Sequence, residues 1–273
     1  MLTSDQINEF IQTNNLNSSV VCLHSAYKSF GGVDGGPETI IDGFLGNDCT
    51  MVCPAFFYES RTFPPTANYQ NNGVDYAKVP EMRCVNYQEN TEQIEACMGA
   101  IPRALLKHQR AVRSKHAGGS FIVAGDRAID LLESQSHLNV YSIYKNIYQS
   151  GKDAYIVLAG VDLTACTPVH FAEELAGRKL FRRWSVFHGQ IVEIEEGSCS
   201  EGFGNLNEQV SHLETVAKLG DSKVKIYKFR PFIDALAAAI KTQPDITHCA
   251  DPSCIRCQDM VAGGRSDLRV ASR

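Results

Sequence analysis

The sequence predicts an α/β protein with a central sheet covered by helices on both faces. Between Ser19 and Pro54 it spells strand, glycine-bearing turn, helix and strand, which is a βαβ unit. Strand-like runs at Phe121–Ala124 and Tyr155–Ala159 then alternate with helical patterns, the order expected when helices pack on both faces of a sheet. With 44% hydrophobic and 21% charged residues in 273, the chain can bury a core and is not a disordered tail.

The elements follow in order. Ser4 to about Asn15 forms a short capped helix with Ile7, Phe10 and Ile11 on one face. Ser19–His24 is an apolar strand, and Phe30–Gly36 a glycine-bearing loop. Pro37 opens a helix whose buried stripe is Ile40, Ile41, Phe44 and Leu45. Cys49–Cys53 is the next strand and stops at Pro54. Residues 57–90, rich in Pro, Asn and Tyr, lack a sustained period and are expected to form a long surface excursion. Helical pattern returns at Ile101–Lys107 and Arg127–Glu133, and Pro168 opens a helix capped by Thr167. Arg183–Ile194 has β character, and helices are expected over Leu206–Leu219 and Phe232–Ile240. From Gln243 the composition turns polar. The spacing divides the chain into a domain over 1–245 and a cysteine-containing tail over 246–273, loose from Ala262 onward.

Twenty-six basic side chains against thirty-one acidic ones leave a formal charge of −5, which removes the electrostatic case for nucleic acid. No apolar run reaches the roughly 18 residues of a membrane helix, and the N-terminus lacks a signal-peptide pattern. A cytoplasmic protein without a membrane partner is the expectation. Seven of the ten cysteines (Cys22, Cys49, Cys53, Cys84, Cys97, Cys166 and Cys199) are scattered and expected in the core as small apolar residues. Cys249, Cys254 and Cys257 form a cluster of another kind. A CxxC with a third cysteine upstream is the larger part of a structural zinc clip, needing His248 or a distant cysteine as fourth ligand.

Three other motifs have chemical and structural readings side by side. Gly31–Gly36 before a helix has the parts of an anion cradle, and equally those of a plain turn. His170 and Glu173, three apart on a helix, share a face. A carboxylate beside an imidazole makes a general base; the same spacing serves metal ligation or helix capping. Arg113, Ser114, His116 and Ser120, interleaved with glycines before a strand, suit a phosphorylated ligand or a solvated basic turn.

Taken together, these blocks are familiar. Cys22–Ile41 followed by Thr50–Phe56, then Met98–Leu105, Ala111–His116 with Ser120, and Ala159–Val161 with Thr167–Glu173, stand in the order of the aminoglycoside 3-N-acetyltransferase family, which the chain resembles over residues 18–190. The resemblance implies a three-layer α/β/α sandwich with a central mixed sheet, distinct from the other common acetyltransferase fold. It implies acetyl-CoA as co-substrate, an aminoglycoside amine as acceptor and a role in antibiotic resistance. The catalytic histidine falls on His170 and its acidic partner on Glu173. His24 and Ser25 map to the thioester end of the cofactor, and Gly35, Gly36, Arg113, Ser114, His116 and Ser120 to cofactor-side positions. Departures are Ala26 in place of a second hydroxyl, Ala117-Gly-Gly in place of a proline, Ser142-Ile143 in place of a Ser-Pro turn, and the cysteine-rich tail.

An aliphatic ammonium must lose a proton before it attacks a thioester, and His170 oriented by Glu173 is the expected acceptor. Backbone amides near Ser25 are expected to face the developing oxyanion. Glu193, Glu195, Glu196 and Glu201 are candidates for an acidic acceptor cleft. Two other functions stay open: the same transfer to a non-antibiotic amine, and a non-catalytic, zinc-organised binding module. The oligomeric state stays open too, a homo-oligomer included.

Overall fold

The computed structural model describes residues 1–65 and 73–261. The chain forms α1 (Ser4–Thr13), β1 (Val20–Ser25), α2 (Pro37–Gly46), β2 (Thr50–Pro54) and β3 (Arg61–Thr62). There follow α3 (Ala100–Leu105), β4 (Ala111–Arg113), β5 (Phe121–Ala124), α4 (Ala128–Leu132), α5 (Ser142–Gln149) and β6 (Ala154–Ala159). Then come α6 (Pro168–Leu175), β7 (Phe181–Phe187), β8 (Gln190–Glu196), α7 (Asn207–Val210), β9 (Thr215–Leu219), β10 (Ser222–Lys228), α8 (Phe229–Thr242) and α9 (Ile255–Val261). The central sheet has seven strands in the order β4-β5-β2-β1-β6-β10-β9. β1 runs parallel to β2 and β6, and the outer pairings are antiparallel. This is the mixed-sheet sandwich that the sequence predicts.

Strand periodicity builds a core on each face. Along β1, Val20 and Cys22 enter one cluster with Val52, Ile156 and Leu158, beneath α5, α6 and α8. Val21 and Leu23 enter the other with Met51, Cys53 and Val157, beneath α1 and α2. Both faces are buried, so the parallel strands read as continuous apolar runs rather than as alternating ones. In α8 the buried residues Phe229, Phe232, Ile233, Leu236, Ala237 and Ile240 recur at helical spacing. In α1 they are the expected Ile7, Phe10 and Ile11.

Two expectations are corrected. The helix expected over Leu206–Leu219 is only the short α7, and Thr215–Leu219 is a strand paired antiparallel with β10. Gly220, at φ +58°, makes the hairpin turn, and in β10 the outward Lys223 and Lys225 alternate with the buried Val224 and Ile226. The stretch 57–90 is not merely a surface excursion. β3 joins β7 and β8 in a second, three-stranded sheet, and Phe57 and Tyr87 are buried with Ala117 and Ile194 in a small third core. The expectation of a loose end over 262–273 lies outside the described residues.

Tyr87 anchors that third core twice. Its ring is fully buried, with the Arg113 guanidinium 5.0 Å from its centroid, and its hydroxyl donates to Ser114 O at 2.8 Å. Tyr87→Ala is therefore expected to cost ~3–5 kcal/mol of stability and Tyr87→Phe about 1 kcal/mol, measured by urea denaturation. A truly superficial loop would give two small and equal losses.

Candidate active site

Because β1, β2 and β6 are parallel, their carboxyl ends share one edge, and the chain leaves β1 for β2 on one side and reaches β6 on the other. Open α/β sheets bind ligands at such a switch point. Here a cavity of about 500 Å³ opens at that edge. Leu23, His24 and Ser25 of β1, Pro54 of β2 and Thr167 and His170 at the start of α6 form one wall. Glu195, Glu196, Gly197, Ser198 and Ser200, at and beyond the end of β8, form another. Phe56, Tyr58 and Tyr141 supply aromatic surface.

On α6, one turn separates His170 from Glu173. His170 Nδ1 lies 2.8 Å from Glu173 Oε2. Glu173 is 0% exposed and is an acceptor from every side: Arg178 Nη1 donates to Oε1 at 2.7 Å, and Ser198 Oγ lies 3.0 and 2.9 Å from Oε1 and Oε2. A carboxylate so surrounded by donors takes its third hydrogen bond from a protonated Nδ1. The other nitrogen, Nε2, belongs to a ring that lines the cavity. Arg178 is held in turn by Thr247 Oγ1 at 2.7 Å and by Pro244 O. The imidazole is clamped between Tyr141, stacked at 5.5 Å and 9°, and Phe203, edge-on at 4.9 Å. A Cβ on Gly197 would stand 2.8 Å from Cδ2 and Cε1 of His170 and 2.5 Å from Tyr141 Oη, so only glycine lets the chain pass beneath the ring.

The sequence matches the profile of the aminoglycoside 3-N-acetyltransferase family over residues 22–244. The chain belongs to that family. Aminoglycoside N(3)-acetyltransferase VIII of Streptomyces fradiae is 24% identical over 165 residues, 57% of this chain and 54% of the relative. Aminoglycoside N(3)-acetyltransferase IX of Micromonospora chalcea is 26% identical over 164 residues, 58% and 56% respectively. The chain thus spans about half the length of the curated relatives it matches. Among solved structures, the aminoglycoside acetyltransferase AAC(3)-IVa apoenzyme superposes with a TM-score of 0.73 at 18% identity, over 96% of this chain and 97% of that one. The YokD protein from Bacillus subtilis gives 0.73 at 20%, over 89% and 100%, and AAC-IIIb solved with CoASH gives 0.73 at 16%, over 88% and 97%. At these identities the likeness is one of fold.

In this member of the family, the residues singled out in the sequence separate into two groups. His24, Ser25 and His170 meet at the cavity, with Glu173 directly behind His170. Among the described residues His24 Nε2 is buried without a partner, and burial holds this imidazole down at about 4, so it is neutral, with a polar atom to offer a ligand. The other positions do not line the cavity. Arg113 bonds Ser120 Oγ at 3.1 Å, Ala55 O at 2.9 Å, Gln93 O at 3.0 Å and Thr91 O. Ser114 Oγ accepts from the Phe121 amide at 2.8 Å, and Ser120 Oγ donates to Ala55 O at 2.6 Å. Gly35 and Gly36, at φ +77° and +82°, lead into α2, and the Gly36 amide is already bonded to Val33 O at 3.2 Å. Of the amides expected near Ser25, that of Ala26 is bonded to Ala159 O at 2.9 Å.

Of the acidic run, Glu195 and Glu196 line the cavity. Glu193, 3.8 Å from Arg182, and Glu201, 3.6 Å from Arg256, do not, and Glu196 on the wall is paired with Arg61. Burial pushes the Glu195 carboxyl up to about 7, with Arg182 at 3.3 Å opposing the shift. Sequence reasoning missed Arg178, Ser198, Gly197 and Tyr141. Arg178 lies beyond the end of α6, where no helical spacing connects it to Glu173. Cys84 and Cys97 are exposed, against expectation, and Cys199 has joined the tail cysteines rather than the core. Among the described residues, the Cys199, Cys249, Cys254 and Cys257 sulfurs converge within 4.8 Å. No helix among them is long and apolar enough to cross a membrane.

His116 is buried in its neutral form. Its Nδ1 accepts from the Gly118 and Gly119 amides at 3.2 and 2.8 Å, and burial, with His137 nearby, pushes it down to about 3 from the usual 6.5. A depressed histidine stabilises the fold above 6.5 and loses that contribution as the pH falls toward 3, at about 1.4 kcal/mol per pH unit. His116→Asn retains an acceptor for the two amides but does not titrate. The variant is expected to lose less stability than the parent between pH 6.5 and pH 4, as read from urea midpoints; parallel pH profiles would refute the assignment.

Proposed function

We propose that this protein transfers an acetyl group from acetyl-CoA to an amine of an aminoglycoside, with His170 as general base. The observation that carries this reading is the buried His170–Glu173 pair on the wall of the switch-point cavity, facing the Glu195–Glu196 strand end. The family membership and the names of the curated relatives support the reaction class. A structure of AAC-IIIb, of the same fold, with CoASH supports the co-substrate. About 500 Å³ suits an acceptor together with the thioester end of the coenzyme, and the bulk of a coenzyme would extend outside.

His170 Nε2 takes the proton of the acceptor ammonium while Glu173 holds the ring in the required tautomer and stabilises the imidazolium that forms. The Ser25 hydroxyl, at the end of β1 on the same wall as His170, supplies a hydrogen bond to the acyl oxygen in place of the Ala26 amide, with neutral His24 beside it. Glu195 and Glu196 attract and orient the polycationic acceptor. A cation beside Glu195 favours its charged form, so acceptor binding near neutral pH expels a proton from that carboxyl.

His170→Ala is expected to lower turnover at least ~10³-fold in a thiol-release assay while acetyl-CoA affinity by calorimetry stays within a factor of about two. Near-normal turnover would overturn the assignment. The acceptor panel should include aminoglycosides and simple metabolite amines: activity confined to the latter moves the substrate class, and the absence of acetyl-CoA affinity removes the enzyme reading altogether. Glu195→Gln is expected to raise the acceptor KM about tenfold, the worth of one charge-assisted hydrogen bond of ~1.5 kcal/mol, and to leave the acetyl-CoA KM unchanged. An equal rise in both would place Glu195 outside the acceptor cleft.

A further inference from the structure

We propose that Cys199, Cys249, Cys254 and Cys257 bind one zinc ion, which fastens the C-terminal segment to the loop supporting the His170–Glu173 pair. This stands independently of the acetyl-transfer reading. The four sulfurs lie within 4.8 Å of one another, and Sγ of Cys249 and Cys257 are 3.5 Å apart. Four thiolates around one ion, at a metal–sulfur bond of ~2.3 Å, stand ~3.8 Å from each other, so little movement is needed to close the shell. Three of the cysteines are buried and Cys254 is half-buried, as in a closed structural site with no position left for water. An all-sulfur tetrahedron selects a soft ion over magnesium or calcium.

The surroundings are those of a bound thiolate group. The Cys249 amide points at Cys257 Sγ at 3.4 Å, an N–H donor to a ligand sulfur. Four thiolates around Zn²⁺ leave two negative charges, and Arg256 stands between two of the ligands in sequence. His248, the other candidate for fourth ligand, is outside the cluster, its Nδ1 3.1 Å from Cys249 O.

The site lies on a seam. Gly202 approaches Thr247 O and the His248 backbone so closely that a Cβ there would collide with both. Asn205 Nδ2 donates to Ile246 O at 3.0 Å and to His248 O at 3.1 Å. Cys199 directly follows Ser198, which bonds Glu173, and Thr247, two residues before Cys249, holds Arg178. One ion therefore joins both segments that secure the Glu173 carboxylate.

The test uses the full chain, expressed with zinc and purified with a thiol reductant, with its metal content measured by mass spectrometry. One zinc per chain is expected. After removal of the metal, Co²⁺ added to the reduced protein should give the sulfur-to-cobalt charge-transfer absorption of a tetrahedral tetrathiolate. Cys199→Ser should weaken that absorption and shift it to higher energy, whereas Cys84→Ser should leave it unchanged. Limited proteolysis should cut the segment after Thr242 at least tenfold faster in the metal-free protein. Where Cys199→Ser fails to fold, the cobalt spectrum of the unmutated chain decides alone. Protein that holds no zinc and gives no cobalt–thiolate band, holds iron instead, or carries a Cys249–Cys257 disulfide under the same conditions overturns the proposal.

Discussion

A carboxylate wholly removed from water is the constraint on which the site depends. Arg178 and Ser198 supply donors to both oxygens of the buried Glu173 carboxylate, and His170 Nδ1 makes the remaining contact on the cavity side. A buried ion pair contributes little net stability, yet removing one partner is strongly destabilising, so the arrangement is better understood as fixing geometry than as holding the fold together. Its reach is long. Arg178 is itself held by Thr247 and Pro244, after the last long helix, and Ser198 belongs to the loop after the second sheet. Segments far apart in sequence are committed to the orientation of a single imidazole.

The sheet topology explains why that imidazole faces a cavity at all. β1 is flanked by parallel partners that the chain reaches in opposite directions, so the elements after β1 and β6 diverge and leave a crevice between them. The small sheet of β3, β7 and β8 then closes the open side. It brings Glu195 and Glu196, with Arg61 and Arg183, to the cavity wall, while the Arg113 hydrogen bonds tie the start of the excursion at Ala55 to its end near Gln93. The apolar part of the fold makes the crevice, and the polar excursion makes it a pocket.

What was legible in the sequence was local. The β1–α2–β2 unit declared itself through a buried strand, a glycine turn and a proline at the first helical position. His170 and Glu173 declared themselves because three residues on a helix put two side chains on one face, and the structure joins them at 2.8 Å. Features that depend on chain return were not legible. No periodicity connects Arg178 to Glu173, Ser198 to α6, or Cys199 to a cluster some fifty residues later. The Arg113 block shows the converse failure: cations, hydroxyls and glycines near a strand have the composition of a phosphate site, but here their donors are engaged by backbone carbonyls and each other. The helix expected over Leu206–Leu219 failed because Leu206, Val210, Leu213 and Ala217 recur at helical spacing, and only the pairing of Thr215–Leu219 with β10 makes that end a strand.

The stretch from Glu195 to Ser200 concentrates these dependencies. Glu195 and Glu196 end β8 on the cavity wall, Gly197 passes under the His170 ring where no side chain fits, Ser198 bonds the buried carboxylate, and Cys199 turns to the sulfur cluster. Each successive residue serves a different neighbour, so the segment can tolerate neither an insertion nor a shift of register. A one-residue slip would put a side chain beneath the imidazole and take the serine from Glu173, leaving a buried carboxylate short of a donor. Docking of the C-terminal segment fixes that register from outside, since the sulfur of Cys199 meets the tail cysteines while its neighbour Ser198 meets α6. The tail lies beyond the part of the chain that matches the family profile, and yet it braces the pair of residues at the centre of that match.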